Sequence, residues 1–234
     1  MKLLLFDIDG TLIHSNGAGK RVMAMALQEV FGTTGPIDSY NMGGKTDTRI
    51  VTDLMGAAGI AAATIEARLA KLFTRMEVHG QTIFGNGNGS AAPCPGVGPL
   101  LNALQSRHDA MLGLVTGNIE PMAPLKIAAA GLDPLLFRVG AYGSHHIDRD
   151  HLPAIAMKQA TELTNLPFDG HNTIIIGDTP LDIQCARAVG AVAVAVATGR
   201  YSATTLNQYK PDILLHNLAD TVTVLQTLMA YDVT

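Results

Sequence analysis

The chain has 234 residues, 47% hydrophobic and 15% charged, with a formal net charge of -4 and two cysteines, Cys94 and Cys185. That is enough apolar material for a sizeable core and a smaller second unit. The charge balance excludes an electrostatic footprint for nucleic acid or an anionic membrane, and two cysteines are too few for a disulfide framework or a cysteine metal site.

The apolar runs are too short to cross a bilayer, and no secretory h-region precedes the first of them. A cytoplasmic protein acting on a small molecule is therefore expected. That first run, Leu3 to Phe6, has the length of a buried strand and ends in two carboxylates, Asp7 and Asp9. Acids this close repel one another and lose solvation beside a buried strand, so a positive charge is expected nearby.

Residues 16–91 then show helical periodicity, at Arg21 to Val30, Asp47 to Gly56 and Ala63 to His79, with little strand signal. They read as a helical cap domain inserted after the first strand, with Met23 and Met25 serving helix packing. Between two of these helices lies Asn41-Met42-Gly43-Gly44-Lys45-Thr46-Asp47. The glycines permit a tight turn, and Thr46 or Asp47 can cap the next helix. Lys45 is not needed for either purpose. A lysine at a helix N-terminus opposes the helix dipole, which hints at an anion approaching from outside. The insertion closes on FGNGNGSAAPCPG, residues 84–96. Its GNGNG run does not separate a clear strand from a clear helix, so hinge or linker is the better reading than phosphate loop.

Beyond the insertion, strand-like runs at Met111 to Val115, Thr173 to Ile176 and Val192 to Ala197 alternate with helical patterns at Val97 to Gln105, Ala123 to Ala130, Pro153 to Leu163 and Leu181 to Val189. This alternation predicts an α/β fold, a doubly wound parallel sheet, built from residues 1–15 and 92–234. His145, His146 and His151 fall in a polar loop and are expected to be solvated, with no cysteine or carboxylate at a zinc-ligand spacing.

Ligands of open parallel sheets bind beyond the carboxyl ends of the strands. Asp7, Asp9 and Thr11 follow the first run, Thr116, Gly117 and Asn118 the second, and Asp178, Thr179 and Asp182 the third. Three carboxylates on one edge call for a cation, and an all-oxygen set without sulfur suits Mg2+.

The stretches Phe6-Asp7-Ile8-Asp9-Gly10-Thr11-Leu12, Val115-Thr116-Gly117-Asn118 and Ile176-Gly177-Asp178-Thr179-Pro180-Leu181-Asp182 resemble, in order, motifs one, two and four of the haloacid dehalogenase superfamily of phosphotransferases. The resemblance spans the chain and implies a Rossmann-like core carrying a smaller α-helical cap, as in phosphoglycolate-phosphatase-like members. It makes Asp7 the nucleophile and Asp9 the general acid, later the base, with a carboxyl pKa raised by burial and neighbouring acids. Thr116, Gly117 and Asn118 would frame the phosphoryl group. Asp7, the Asp9 backbone carbonyl and Asp178 would bind Mg2+, with Asp182 binding it directly or orienting the other ligands. The family's remaining basic residue, usually lysine, corresponds to Arg149 in Asp148-Arg149-Asp150-His151-Leu152-Pro153. Lys126 lies too near motif two for that role, and Lys158 falls inside a predicted helix. Capped members read the leaving group with a cap loop, so Lys45 would contact a second anion such as a carboxylate.

The implied function is a Mg2+-dependent phosphatase that hydrolyses a small organic phosphomonoester through an aspartyl-phosphate. Dehalogenases and phosphonate hydrolases lack an acid at the position of Asp9. A sugar-phosphate mutase of the β-phosphoglucomutase type stays open, since it shares these motifs. A phospho-receiver signalling module is opposed by the insertion and by the DxDGT spacing. Neither the physiological substrate nor the oligomeric state is legible in the sequence.

Overall fold

The structure is a computed structural model and describes residues 1–85 and 90–230. Most of the GNGNG run therefore lies outside the described residues. Six strands form one sheet in the order β5-β4-β1-β6-β7-β8, with every neighbouring pair parallel: β1 (Lys2–Phe6), β4 (Ala110–Thr116), β5 (Val139–Tyr142), β6 (Thr173–Gly177), β7 (Val192–Val196) and β8 (Ile213–Leu215). A two-residue antiparallel ribbon, β2 (Ile13–His14) with β3 (Ala92–Pro93), brackets the helices α1 (Ala18–Phe31), α2 (Asp47–Ala57) and α3 (Ala62–Phe84).

The alternation of a strand sends successive side chains to opposite faces. Leu3 and Leu5 face one apolar layer with Leu152, Ala156 and Ile183, supplied by α6 (Leu152–Thr164) and α7 (Pro180–Ala188). Leu4 and Phe6 face the other, with Leu100, Leu104 and Ile127 from α4 (Val97–Gln105) and α5 (Met122–Ala129). The inserted helices add Val22, Leu54 and Leu72 to this second layer. Continuous apolar runs in β1, β4, β6 and β7 follow from burial on both faces.

Two strands of the main sheet escaped the sequence reading, as did both strands of the β2–β3 ribbon. β5 reads VGAY and β8 reads ILL, and both lie at the sheet edges, where pairing on one side replaces a long apolar run. Short helices α8 (Ala203–Asn207) and α9 (Thr221–Ala230) complete the chain as described. Among the described residues no helix is long and apolar enough to cross a membrane.

Strand β1 ends because the chain turns back on itself. The Ile8 carbonyl accepts the N–H groups of Thr11, Leu12 and Ile13, and Gly10 occupies the left-handed region at φ 90°. A side chain at Gly10 would also overlap the Asp178 carboxylate, so this position requires glycine twice over.

Candidate active site

The carboxyl ends of β1, β4 and β6 open into a cavity of about 540 Å3 whose lining includes Asp7, Asp9, Thr116, Asn118, Arg149 and Asp178. Asp7 is 5% exposed, and its Oδ1 accepts from Arg149 Nη2 at 2.9 Å. The same guanidinium donates to Asp182 Oδ1 at 2.5 Å, to the Val115 carbonyl at 3.0 Å and to the Gly44 carbonyl at 3.0 Å. Arg149 reaches this point from the 3-10 turn Arg149–His151 that leads into α6. Burial pushes the Asp7 carboxyl up to about 6; the Arg149 charge opposes this, while Asp182 reinforces it.

Asp9 has a cation of its own. Its Oδ2 accepts from Lys126 Nζ at 2.6 Å and from Asn118 Nδ2 at 2.8 Å, and its Oδ1 accepts from the Ser15 hydroxyl at 2.9 Å. Here the expectation of a raised Asp9 pKa is overturned. Burial is the largest influence and does push upward, but Lys126, Asn118 and Ser15 together hold the carboxyl below its ordinary value. Lys126, set aside from its position in the sequence, is buried within the site, where its Nζ also donates to Asn118 Oδ1 at 2.5 Å. Lys158 lies on the exposed face of α6 beside Glu162.

Thr116 Oγ1 accepts from both the backbone and side-chain nitrogens of Asn118, at 3.3 and 2.8 Å, which leaves its own hydrogen free to donate. The Asn118 side chain therefore links Thr116, Asp9 and Lys126 in one network.

Asp178 is 3% exposed and accepts from the Thr11 hydroxyl at 3.2 Å, and among the described residues no basic side chain pairs with it. Side chains at Gly10 and Gly199 would overlap its carboxylate, so two bare backbones cradle it. Burial, with Asp7 and Asp182 nearby, raises its pKa well above the ordinary value. Oxygens of Asp7, Asp178 and Asp182 lie within 4.8 Å of one another. An all-carboxylate set with one member lacking a protein cation fits a hard divalent ion. Within that set Asp182 is already engaged: Oδ2 accepts from the Thr179 N–H at 2.9 Å and hydroxyl at 2.7 Å, closing a capping box at the start of α7, while Oδ1 takes Arg149. Its carboxylate orients Arg149 and the helix start.

The turn before α2 descends onto the strand ends. Thr46, not Asp47, caps α2, accepting from Arg49 N at 3.1 Å, and its hydroxyl donates to the Ile147 carbonyl at 2.5 Å. Asp47 is buried instead against motif two: its N–H donates to the Gly117 carbonyl at 2.7 Å and its Oδ2 accepts from Ile119 N at 2.9 Å. Lys45 lines the cavity, but its ammonium is tethered to the Tyr40 hydroxyl at 2.6 Å, 3.5 Å from Asp53 Oδ2 and 4.2 Å from the centre of the Tyr40 ring. Of the histidines, His146 and His151 stack at 3.9 Å with the Asp148 carboxylate close by, a proximity that spacing did not reveal. Asp148 itself pairs with Arg49 of α2.

The family described as haloacid dehalogenase-like hydrolase matches residues 1–190. A phosphoglycolate phosphatase of Rhodospirillum rubrum is 27% identical over 211 residues, covering 85% of this chain and 80% of that protein. Similar solved structures include a hydrolase from Pseudomonas syringae, with 19% identity, a TM-score of 0.69 and 97% and 99% of the two chains covered. Another is a predicted phosphoglycolate phosphatase from Haemophilus somnus, with 23% identity, a TM-score of 0.68 and 97% and 98% covered.

Proposed function

Because the chain belongs to the haloacid dehalogenase-like hydrolases, we propose that it is a Mg2+-dependent phosphatase that hydrolyses a small organic phosphomonoester through an aspartyl-phosphate on Asp7. The observation that carries this reading is the buried Asp7 carboxylate, held by Arg149 and set beside a second carboxylate, Asp178, that has no basic partner among the described residues. A carboxylate attacks a phosphate dianion only where positive charge screens the approach. Arg149 supplies part of that charge. Asp7, Asp178 and the Asp9 backbone carbonyl would hold Mg2+, which when bound neutralises equatorial phosphoryl oxygens.

In the first step an Asp7 oxygen bonds to phosphorus, and the ester oxygen leaves with a proton from Asp9. In the second, Asp9 takes a proton from water, whose oxygen attacks phosphorus, freeing phosphate and restoring Asp7. The donors now on Asp9 favour the base form that the second step needs. An anionic phosphoryl group entering beside it pulls the other way, so protonation accompanies substrate binding. The Thr116 hydroxyl and the N–H groups around Gly117 and Asn118 would hold the phosphoryl oxygens.

The relative named a phosphoglycolate phosphatase supports a substrate with a second anion. Lys20, Lys45 and Arg200 on the cavity wall would meet that group, among Met23, Met42 and Met76. On this reading residues 16–91, which carry α1 to α3, are the cap over a core of 1–15 and 92–234. Turnover of a panel of phosphate esters with and without Mg2+ tests it. Asp7→Asn keeps the shape and removes the nucleophile, so at least a ~100-fold loss of kcat is expected. Formation of a bisphosphate in place of free phosphate would reassign the enzyme as a mutase.

A further inference from the structure

Burying a lysine ammonium costs free energy that an apolar side chain in the same place would not. Lys126 is 5% exposed on α5, a helix whose other buried residues, Met122, Ala123 and Ile127, are core. The surroundings are shaped to this ammonium. Nζ donates to Asp9 Oδ2 at 2.6 Å and to Asn118 Oδ1 at 2.5 Å, while Asn118 Nδ2 donates to the same Asp9 oxygen at 2.8 Å, closing a triangle. On the opposite side α1 carries Gly19, where an added Cβ would stand 3.0 Å from Nζ and 3.4 Å from Cε. Gly19 lies in the first turn of α1, and its lack of a Cβ makes room for the lysine head. None of the roles given to motifs one to four uses Lys126.

We propose that Lys126 is a positioning residue for Asp9, with Gly19 as its seat. Two donors saturate Oδ2 and fix the plane of the carboxyl, whereas among the described residues Oδ1 receives only the Ser15 hydroxyl and keeps its other lone pair to carry the proton that passes to the leaving-group oxygen. Lys126 thus selects which Asp9 oxygen meets the substrate. The inference rests on the reading of Asp9 as the acid toward the leaving group.

The experiment compares kcat/KM, which reports the transfer step, for an alkyl phosphate and for p-nitrophenyl phosphate, whose leaving group departs without an acid. Lys126→Met keeps the aliphatic stem. It should lower kcat/KM for the alkyl ester by at least ~10-fold and leave the aryl ester within about threefold, since a positioned acid contributes roughly 100-fold or more. Asp9→Asn should show the same selectivity more strongly, and Asp9→Asn combined with Lys126→Met should be no slower than Asp9→Asn alone. Gly19→Ala, which crowds Nζ while every polar group remains, should show a weaker selective loss, and it decides the matter if Lys126→Met does not fold. Equal losses on both esters, no loss on either, or additive losses in the double variant would overturn the proposal. Selectivity in Asp9→Asn but not in Lys126→Met or Gly19→Ala overturns it alone. No selectivity in Asp9→Asn overturns the reading of Asp9 and the proposal together.

Discussion

Asp7 and Asp9 stand two residues apart, yet the turn at Gly10 sends them to different cations: Asp7 to Arg149, 142 residues away, and Asp9 to Lys126, 117 residues away. The positive charge that two adjacent acids demand is therefore supplied twice, whereas Asp178 has no basic partner among the described residues. Asp47 is a fourth buried acid, and among the described residues it forms no salt bridge. Burial pushes its carboxyl from 3.8 up to about 6; Lys126 and the Ile119 N–H oppose the rise, and Asp9 adds to it. An acid that holds its proton more tightly folded than unfolded costs nothing below about pH 4. Its penalty grows through the window from 4 to 6 and is complete above, at about 3 kcal/mol by the usual conversion. Asp47→Asn keeps an oxygen for the Ile119 N–H and removes the charge. It is expected to raise the thermal midpoint at pH 8 and to leave it unchanged at pH 4; an equal effect at both pH values would mean that Asp47 is not ionised at a cost in the fold.

At the scale of elements, the segment leading into α2 docks by its backbone and by the short side chains of Thr46, Asp47 and Thr48. The Lys45 carbonyl occupies the space that a side chain at Gly117 would fill, Asp47 N–H bonds the Gly117 carbonyl at 2.7 Å, and the Thr48 hydroxyl bonds the Gly143 carbonyl at 2.5 Å. Gly117 does not need a positive φ, so alanine there is compatible with the strand end and incompatible with the docked segment. Gly117→Ala should therefore lower kcat/KM by more than about tenfold and, by displacing the docked segment, lower stability by roughly 1–3 kcal/mol. Wild-type kinetics would show that the segment need not sit this close. The long strands and amphipathic helices were legible because burial on two faces or on one stripe imposes a period on the sequence. The edge strands β5 and β8 carry too few residues to impose one, and the β2–β3 ribbon depends on a pairing between residues about 80 positions apart.

For the whole molecule, the crowded carboxylates imply that folding and metal binding are linked. At ~100 times its Kd a divalent cation that binds only the folded chain adds about 2.7 kcal/mol, which in a chain of this size is a rise of about 5 °C or more in thermal midpoint. Mg2+ should produce that rise, a chelator should reverse it, and Asp178→Ala should largely abolish it; a midpoint indifferent to Mg2+ would remove the three aspartates from that role. By itself the sequence determined the order of strand and helix and the residues gathered beyond the strand ends, because in a parallel sheet every strand delivers its carboxyl end to the same edge. Only the tertiary structure decided which cation answers which acid. It brought Lys126 under Asp9, engaged both oxygens of Asp182, tethered Lys45 to Tyr40 and buried Asp47 against Ile119. These pairings depend on side-chain direction and on packing between distant elements, and no local period in the chain encodes either.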